Sequence, residues 1–326
     1  MLVVSLCLRG IKPKVNKMDN KNNNLINRIK PYIKKVLNTI PYISGLSRQI
    51  KELGAFPAGH YYSPIPARAD VSEAIENNRY SRSLHGIRMR HEAQLSLLNE
   101  LAEYYADVPY NFRSGRADER YYYDQEFFGY TDAIVLFCMI QKYQFKNIIE
   151  VGSGFSSAAI LDAYQASGIS DFQLTLIEPY PDRVKSLIGT KCVQSVELVE
   201  SAVQECQLDL FETLDAGDML FIDSSHVVKF QSDLHYLIFH VLPVLKPGVL
   251  VHFHDVFFPF EYPDHWLLDG RYWNECYFLQ AFLTNNDQWE IELFNDYLNT
   301  TQGDVLTRLM PLCHNNHGGS IYIRKQ

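Results

Sequence analysis

From Asn147 onward, short apolar runs alternate with stretches of helical spacing, and this rhythm limits the fold more than any other feature of the chain. The runs at 147–151, 173–178, 195–199, 219–222, 249–253, 290–294 and 320–323 read as strands. Helical patterns fall near 156–165, 181–188, 230–242 and 274–283. A strand that reaches the next one through a helix pairs with it in parallel, because each helix must cross a face of the sheet. The fold class expected is therefore α/β: a Rossmann-like, doubly wound, mostly parallel sheet with helices on both faces. Ligands of such sheets bind outside the carboxyl ends of the strands, where the strand order reverses.

The first strand runs into that region as NIIEVGSGFSS, residues 147–157. Gly152 and Gly154 let the turn tighten and let a ligand approach main-chain N–H groups, while Ser156 and Ser157 can cap the helix that follows. The third glycine of the dinucleotide pattern is absent, because Ser157 holds its place. Glu150 precedes the loop; a carboxylate there repels a pyrophosphate and suits a cationic ligand group. The second strand ends in Glu178, where a carboxylate can accept both hydroxyls of a ribose. Two acids at two strand ends mark a nucleoside. An NAD-linked oxidoreductase is the rival enzyme reading, disfavoured by the missing glycine.

Charge divides the chain. Residues 1–51 carry eleven Lys or Arg against Asp19 alone, so the rest of a chain of net charge −8 is strongly acidic. That body is unsuited to nucleic acid, which needs a clustered basic surface. In the basic arm, Leu25, Ile29, Ile33, Val36, Leu37 and Ile40 recur at helical spacing, interrupted by Pro31. Such a helix docks on the body, or makes a peripheral membrane or partner contact. MLVVSLCLRG lacks a preceding positive region and is too short to span a bilayer, so no cleaved leader is expected, and MDNKNNN at Met18 reads as a natural start. Six cysteines without paired spacing point to reduced thiols and a cytoplasmic setting. The organisation expected is a basic helical arm at 1–52, a cap segment at 53–130 and a catalytic domain at 131–326.

Taken in order, EVGSGFSS, LIEPYP, VESAVQ, FIDSSH and VHFHDVFFPFEYP resemble class I S-adenosylmethionine-dependent methyltransferases, in the small-molecule and glycan-associated group that also carries FPAGHYYSPIP upstream. The resemblance runs from about Phe56 to the end of the sequence. It implies seven strands with the last reversed. It also implies S-adenosylmethionine as cofactor, with Glu150, Gly152 and Gly154 around its methionine part, Glu178 on the ribose, and Ser201, Ala202 and Gln204 near the adenine.

The fourth and fifth strands deliver Asp223 with His226 and His254 with Asp255 to one edge of the sheet. Asp223 and Asp255 resemble the ligand positions of cation-dependent O-methyltransferases, which implies a divalent ion such as Mg; Val256 departs from the pattern, where an Asn ligand often follows. The alternative role for Asp223 is a helix cap or cofactor contact. His226 and His254 are the candidate bases, whereas His252 alternates with His254 and faces the packing. Tyr262, Trp266, Arg271, Tyr272, Trp273 and Asn274 follow the fifth strand as candidate acceptor contacts, and His60, Tyr61 and Tyr62 as a closing segment. The function expected is methyl transfer, O-directed, to a small molecule or saccharide hydroxyl. A catalytically silent cofactor-binding module recruited through its arm is the alternative from another class.

Overall fold

The computed structural model describes residues 54–77, 83–113, 120–189 and 195–326, with Lys30, Tyr32 and Gly45 as isolated positions. The helix expected at 25–40 otherwise lies outside the described residues. Two compact units divide the chain, Met1–Val71 and Ser72–Gln326. In the first, the rings of Phe56, His60, Tyr61 and Tyr62 pack on one another, His60 stacking on Phe56 at 4.6 Å and on Tyr61 at 4.4 Å. Among the described residues no helix is long and apolar enough to cross a membrane.

The second unit holds a seven-stranded sheet: β1 (Asn147–Val151), β2 (Gln173–Ile177), β3 (Val196–Val199), β4 (Met219–Ile222), β5 (Leu250–Phe253), β6 (Trp289–Phe294) and β7 (Ile321–Lys325). The order is β3-β2-β1-β4-β5-β7-β6, and β7 runs antiparallel to both neighbours. β4 (MLFI) and β5 (LVHF) are buried throughout, as strands covered on both faces must be. Four helices of this unit are α1 (His91–Ala102), which packs on β6, α2 (Tyr130–Tyr143), α3 (Phe155–Ser167) and α4 (Asp182–Ile188). Further along lie α5 (Asp264–Asp269), α6 (Glu275–Leu283) and α7 (Asn295–Leu309).

One core joins these layers. Leu97, Leu98 and Leu101 of α1 and Tyr121, Tyr123 and Phe128 pack into the same apolar cluster as the strands. Each such buried side chain stabilises by roughly 1.5–3 kcal/mol. This departs from the cap segment expected at 53–130: its second half is part of the body, because its apolar side chains have no other core to enter. Arg120 ties that half down, with its backbone N–H and that of Tyr121 both donating to the Asp162 carboxylate of α3 at 2.8 Å.

The chain winds outward from β1 to β3, then restarts at β4 on the other side of β1. The reversal lies between β1 and β4, whose register pairs Val151 with Ile222. The residues that follow those two positions therefore emerge side by side.

Candidate active site

Gly152 turns the chain out of β1 with φ +84°, and a Cβ there would stand 1.7 Å from the Asp223 carbonyl oxygen. The turn is held by Asp223 N–H donating to the Val151 carbonyl at 2.8 Å and Gly152 N–H donating to the Ile177 carbonyl at 3.0 Å. This glycine serves the approach of two strand ends rather than the approach of a ligand. Gly154 is the open one, in extended backbone with only the Arg183 side chain near its missing Cβ, at 3.5 Å.

Glu150 does not take the place expected for it. Its side chain is completely buried, and both oxygens accept hydrogen bonds from the Ser156 and Ser157 hydroxyls. Burial, with Asp223 and Glu178 nearby, pushes the carboxyl up to about 8 against the two serines that favour its ionised form. Buried, outside the cleft's walls and held by both serines, Glu150 ties β1 to the start of α3. The folded protein keeps a proton that the unfolded chain releases above about 4.5, so the stability Glu150 contributes is fully present below that pH and is lost as pH rises toward about 8. Urea denaturation is expected to show a decline on the order of a few kcal/mol across that window. Glu150→Gln should remove the part of the decline below about pH 6.5, where the raised histidines add none, and an unchanged slope there would rule out this origin.

A cleft of about 560 Å³ opens over the strand ends, walled by Gly152, Ser153, Gly154, Glu178, Asp223 and His254 among others. Glu178 is fixed in it, accepting from the Tyr180 N–H at 2.8 Å and the Ser153 N–H at 3.2 Å, with lone pairs left over. The Ser153 and Ser224 hydroxyls on its wall are buried without partners. Orphaned polar atoms of this kind suit a polar cofactor that completes their hydrogen bonds. Ser201, Ala202 and Gln204, expected near an adenine, are not in these walls. The turn after β3 folds on itself, with the Ser201 hydroxyl donating to the Ala202 carbonyl at 3.2 Å and Gln204 reaching the Gln231 carbonyl at 3.5 Å.

A second cavity of about 610 Å³ adjoins the first. Both share Phe127, His254, Asp255 and Trp266 as walls. Tyr262 lines the second cavity and Trp273 and Arg271 the first. Asn274 clamps the loop after β4, accepting from Val228 N–H and donating to its carbonyl. Tyr272 lines neither cavity. His60, Tyr61 and Tyr62 belong to the other unit and are not in these walls.

At the junction the two histidines stand among four carboxylates. His254 Nδ1 lies 3.4 Å from Asp223 and 3.8 Å from Asp255, and its Nε2 is 3.6 Å from Asp132. His226 Nε2 lies 3.6 Å from Asp223 and 3.5 Å from Asp255, its Nδ1 2.8 Å from Glu275, and its ring stacks on Trp273 at 4.4 Å. His226 and Asp255 have φ of 58° and 57°, a left-handed backbone that costs a non-glycine residue energy and gathers at functional turns.

Burial lowers both imidazoles, yet the carboxylates outweigh it: Glu275, Asp255 and Asp223 lift His226 to about 9, and Asp255, Asp223 and Asp132 lift His254 well above the ordinary value. Burial likewise raises Asp223 and Asp132, but His254 and, for Asp223, His226 draw both below the carboxylate range, Asp132 to about 2. Burial and the neighbouring acids leave Asp255 raised. His252 is a core residue, bonded to the Ser320 hydroxyl at 2.8 Å and stacked on Phe221 at 3.8 Å, and burial depresses it to about 3.

Asp223 and Asp255 do converge, but among the described residues no group of three or more His, Cys, Asp or Glu is arranged to hold a metal ion. Imidazoles stand between the carboxylates where an ion would sit. The arrangement does not fit a resident divalent cation, and no step is derived through one.

Sequence reasoning missed Asp132 and Glu275. Asp132, on the first turn of α2, accepts from the Gly319 N–H and from Asn295 at 2.9 Å, and Glu275 opens α6 fully buried. Both sit in apolar helices, where a single acid reads as a terminal charge; only the approach of other elements reveals their partners.

A family model described as a methyltransferase domain matches residues 149–256, from β1 to just past β5. An uncharacterized protein of Archaeoglobus fulgidus is 34% identical over 176 residues, which span 51% of this chain and 76% of that protein. Among solved structures, the SAH-bound methyltransferase PaMTH1 of Podospora anserina is 15% identical over 81% of this chain and 99% of its own, with a TM-score of 0.37. The O-methyltransferase TomG from Streptomyces achromogenes, in complex with SAM, is 17% identical over 72% of this chain and 90% of its own, with a TM-score of 0.36. At these scores neither structure bears on the chemistry. Carried by the two sequence matches and by a sheet with its last strand reversed, the conclusion is that the chain belongs to the methyltransferase-domain family, on the class I S-adenosylmethionine-dependent fold.

Proposed function

We propose that this protein transfers the methyl group of S-adenosylmethionine to a hydroxyl of a small molecule or saccharide. The observation that carries the reading is the meeting of two cavities at His254 and Asp255, one with a fixed carboxylate at the second strand end and one with aromatic walls. When bound, S-adenosylmethionine supplies a methyl group made electrophilic by its sulfonium. Methyl transfer is an in-line displacement, so this chain's task is alignment and removal of the acceptor's proton. Gly154, Ser153 and Glu178 would hold the cofactor, the last accepting its ribose hydroxyls, with the buried Ser224 hydroxyl completing the wall. His254 borders both cavities and takes the role of general base, with Asp132 and Asp223 orienting its ring.

Transfer of tritium from labelled cofactor to a small-molecule extract tests the reading, and cofactor binding with no transfer would favour the silent module instead. Glu178→Ala should weaken S-adenosylmethionine binding by roughly 2–3 kcal/mol in calorimetry; unchanged affinity in a folded variant would remove the ribose assignment. Because imidazoles occupy the ground between Asp223 and Asp255, chelator is expected to leave turnover unchanged. Loss of turnover restored by magnesium would reassign the cluster to an ion.

A further inference from the structure

Acids line both cavities, Glu126 and Asp255 bordering the two together, but guanidinium groups line only one. Arg183 and Arg271 line the cofactor cleft and not its neighbour. Each guanidinium stands over a ring that both cavities share, Arg183 over Phe127 at 4.0 Å and Arg271 over Trp266 at 4.8 Å. The neighbour is lined by Glu126, Asp132, Asp255, Glu261, Asp264 and Asp296, and among the described residues lining it there is no lysine or arginine.

Hydrogen bonds fix several of these acids without neutralising them. Asp296 accepts from the Phe258 N–H at 2.8 Å, Glu261 from the Tyr262 N–H at 3.0 Å and from the Tyr277 hydroxyl, and Asp132 from the Gly319 amide and Asn295. Those donors are uncharged, so the acids keep their negative field. His254 offsets part of it at the junction, and His317 lies 3.6 Å from Asp296 at the other side. The low-dielectric rings of Phe257, Tyr262 and Trp266 between them concentrate the field that remains.

Building on the acceptor cavity of the proposed reaction, we infer that the acceptor carries a protonated amine beside the hydroxyl that is methylated. Such a group finds carboxylates and aromatic faces together, the pairing that binds ammonium groups. A phosphate- or carboxylate-bearing acceptor meets fixed negative charge and no lysine or arginine among the described lining residues, which selects against it.

The test uses the full chain loaded with S-adenosylhomocysteine, titrated separately with glucosamine, glucose and glucuronate while ligand-observed NMR follows binding. Glucosamine is expected to bind roughly tenfold more tightly than glucuronate at low salt, with glucose between them. Asp264→Asn combined with Glu261→Gln, both in the acceptor cavity alone, should cut that preference several-fold. Equal binding of glucosamine and glucuronate, a preference untouched by the double variant, or binding of none of the three overturns the inference. Failure of S-adenosylhomocysteine to bind the unaltered protein is a different result, and it overturns the methyltransferase reading itself.

Discussion

Gly152→Ala is expected to destabilise the protein by at least about 3 kcal/mol, read as a fall in the urea midpoint, and to abolish cofactor binding in whatever remains folded. Two costs add. The backbone at φ +84° is one that alanine rarely adopts, and the new methyl would stand 1.7 Å from the Asp223 carbonyl oxygen. That oxygen belongs to main chain anchored by the Asp223 N–H bond to Val151, so it cannot swing aside as a side-chain tip would. Relief requires the ends of β1 and β4 to part, which separates Ser153 and Gly154 from Asp223 and Ser224 across the cleft. A Gly152→Ala protein with an unchanged midpoint would show that the two strand ends do not meet this closely. Gly154→Ala is the control: its Cβ would find only the flexible Arg183 side chain, and the effect on stability should be much smaller.

His254→Ala is expected to slow turnover by 10²–10⁴ while cofactor affinity stays close to that of the unaltered enzyme. The imidazole is one of the walls both cavities share, whereas His226 lines the cofactor cleft alone. Burial opposes charging of His254, but Asp255, Asp223 and Asp132 override it and keep the ring protonated at neutral pH. Only the unprotonated ring can accept the acceptor's proton, so the rate should rise with pH above the ordinary imidazole range and the rise should vanish in the variant. If His226→Ala carries the large loss and His254→Ala a small one, the roles of the two rings are exchanged. If neither matters, the enzyme works by alignment alone.

How far the sequence could be read depended on what kind of contact made each feature. Strands β1, β4 and β5 were legible because a strand buried on both faces is apolar at most positions, and their observed bounds differ from the expected ones by a residue at most. α7 was not anticipated. NDYLNTTQGDVLTRL lacks an apolar stripe, breaks at Gln302, and is held by packing of Leu298 and Leu306 into the common core. The four strand-end residues Asp223, His226, His254 and Asp255 were expected together from topology, which fixes where strands stop. Their buried partners Asp132 and Glu275 come from helices far along the chain, and no local pattern announces a contact made at that distance. Glu150 failed for a related reason. Its position before the glycines was legible, but the two serine hydroxyls that turn it inward act three-dimensionally, and they replace a ligand with a structural bond.

The reversed strand has a bearing on when activity can arise. β7 follows every other element in chain order, yet it is the strip of sheet between β5 and β6, and β6 pairs with nothing else. The Gly319 amide that seats Asp132 and the Ser320 hydroxyl that meets His252 arrive with it. A chain emerging from the ribosome can therefore form the β1–β4 turn and a half-built cleft long before it owns a working base. Pairing of sequence-distant strands is slow, so insertion of β7 between β5 and β6 is expected to lag the β1–β4 turn, and the proposed base has its full set of neighbours only once that strand is in place.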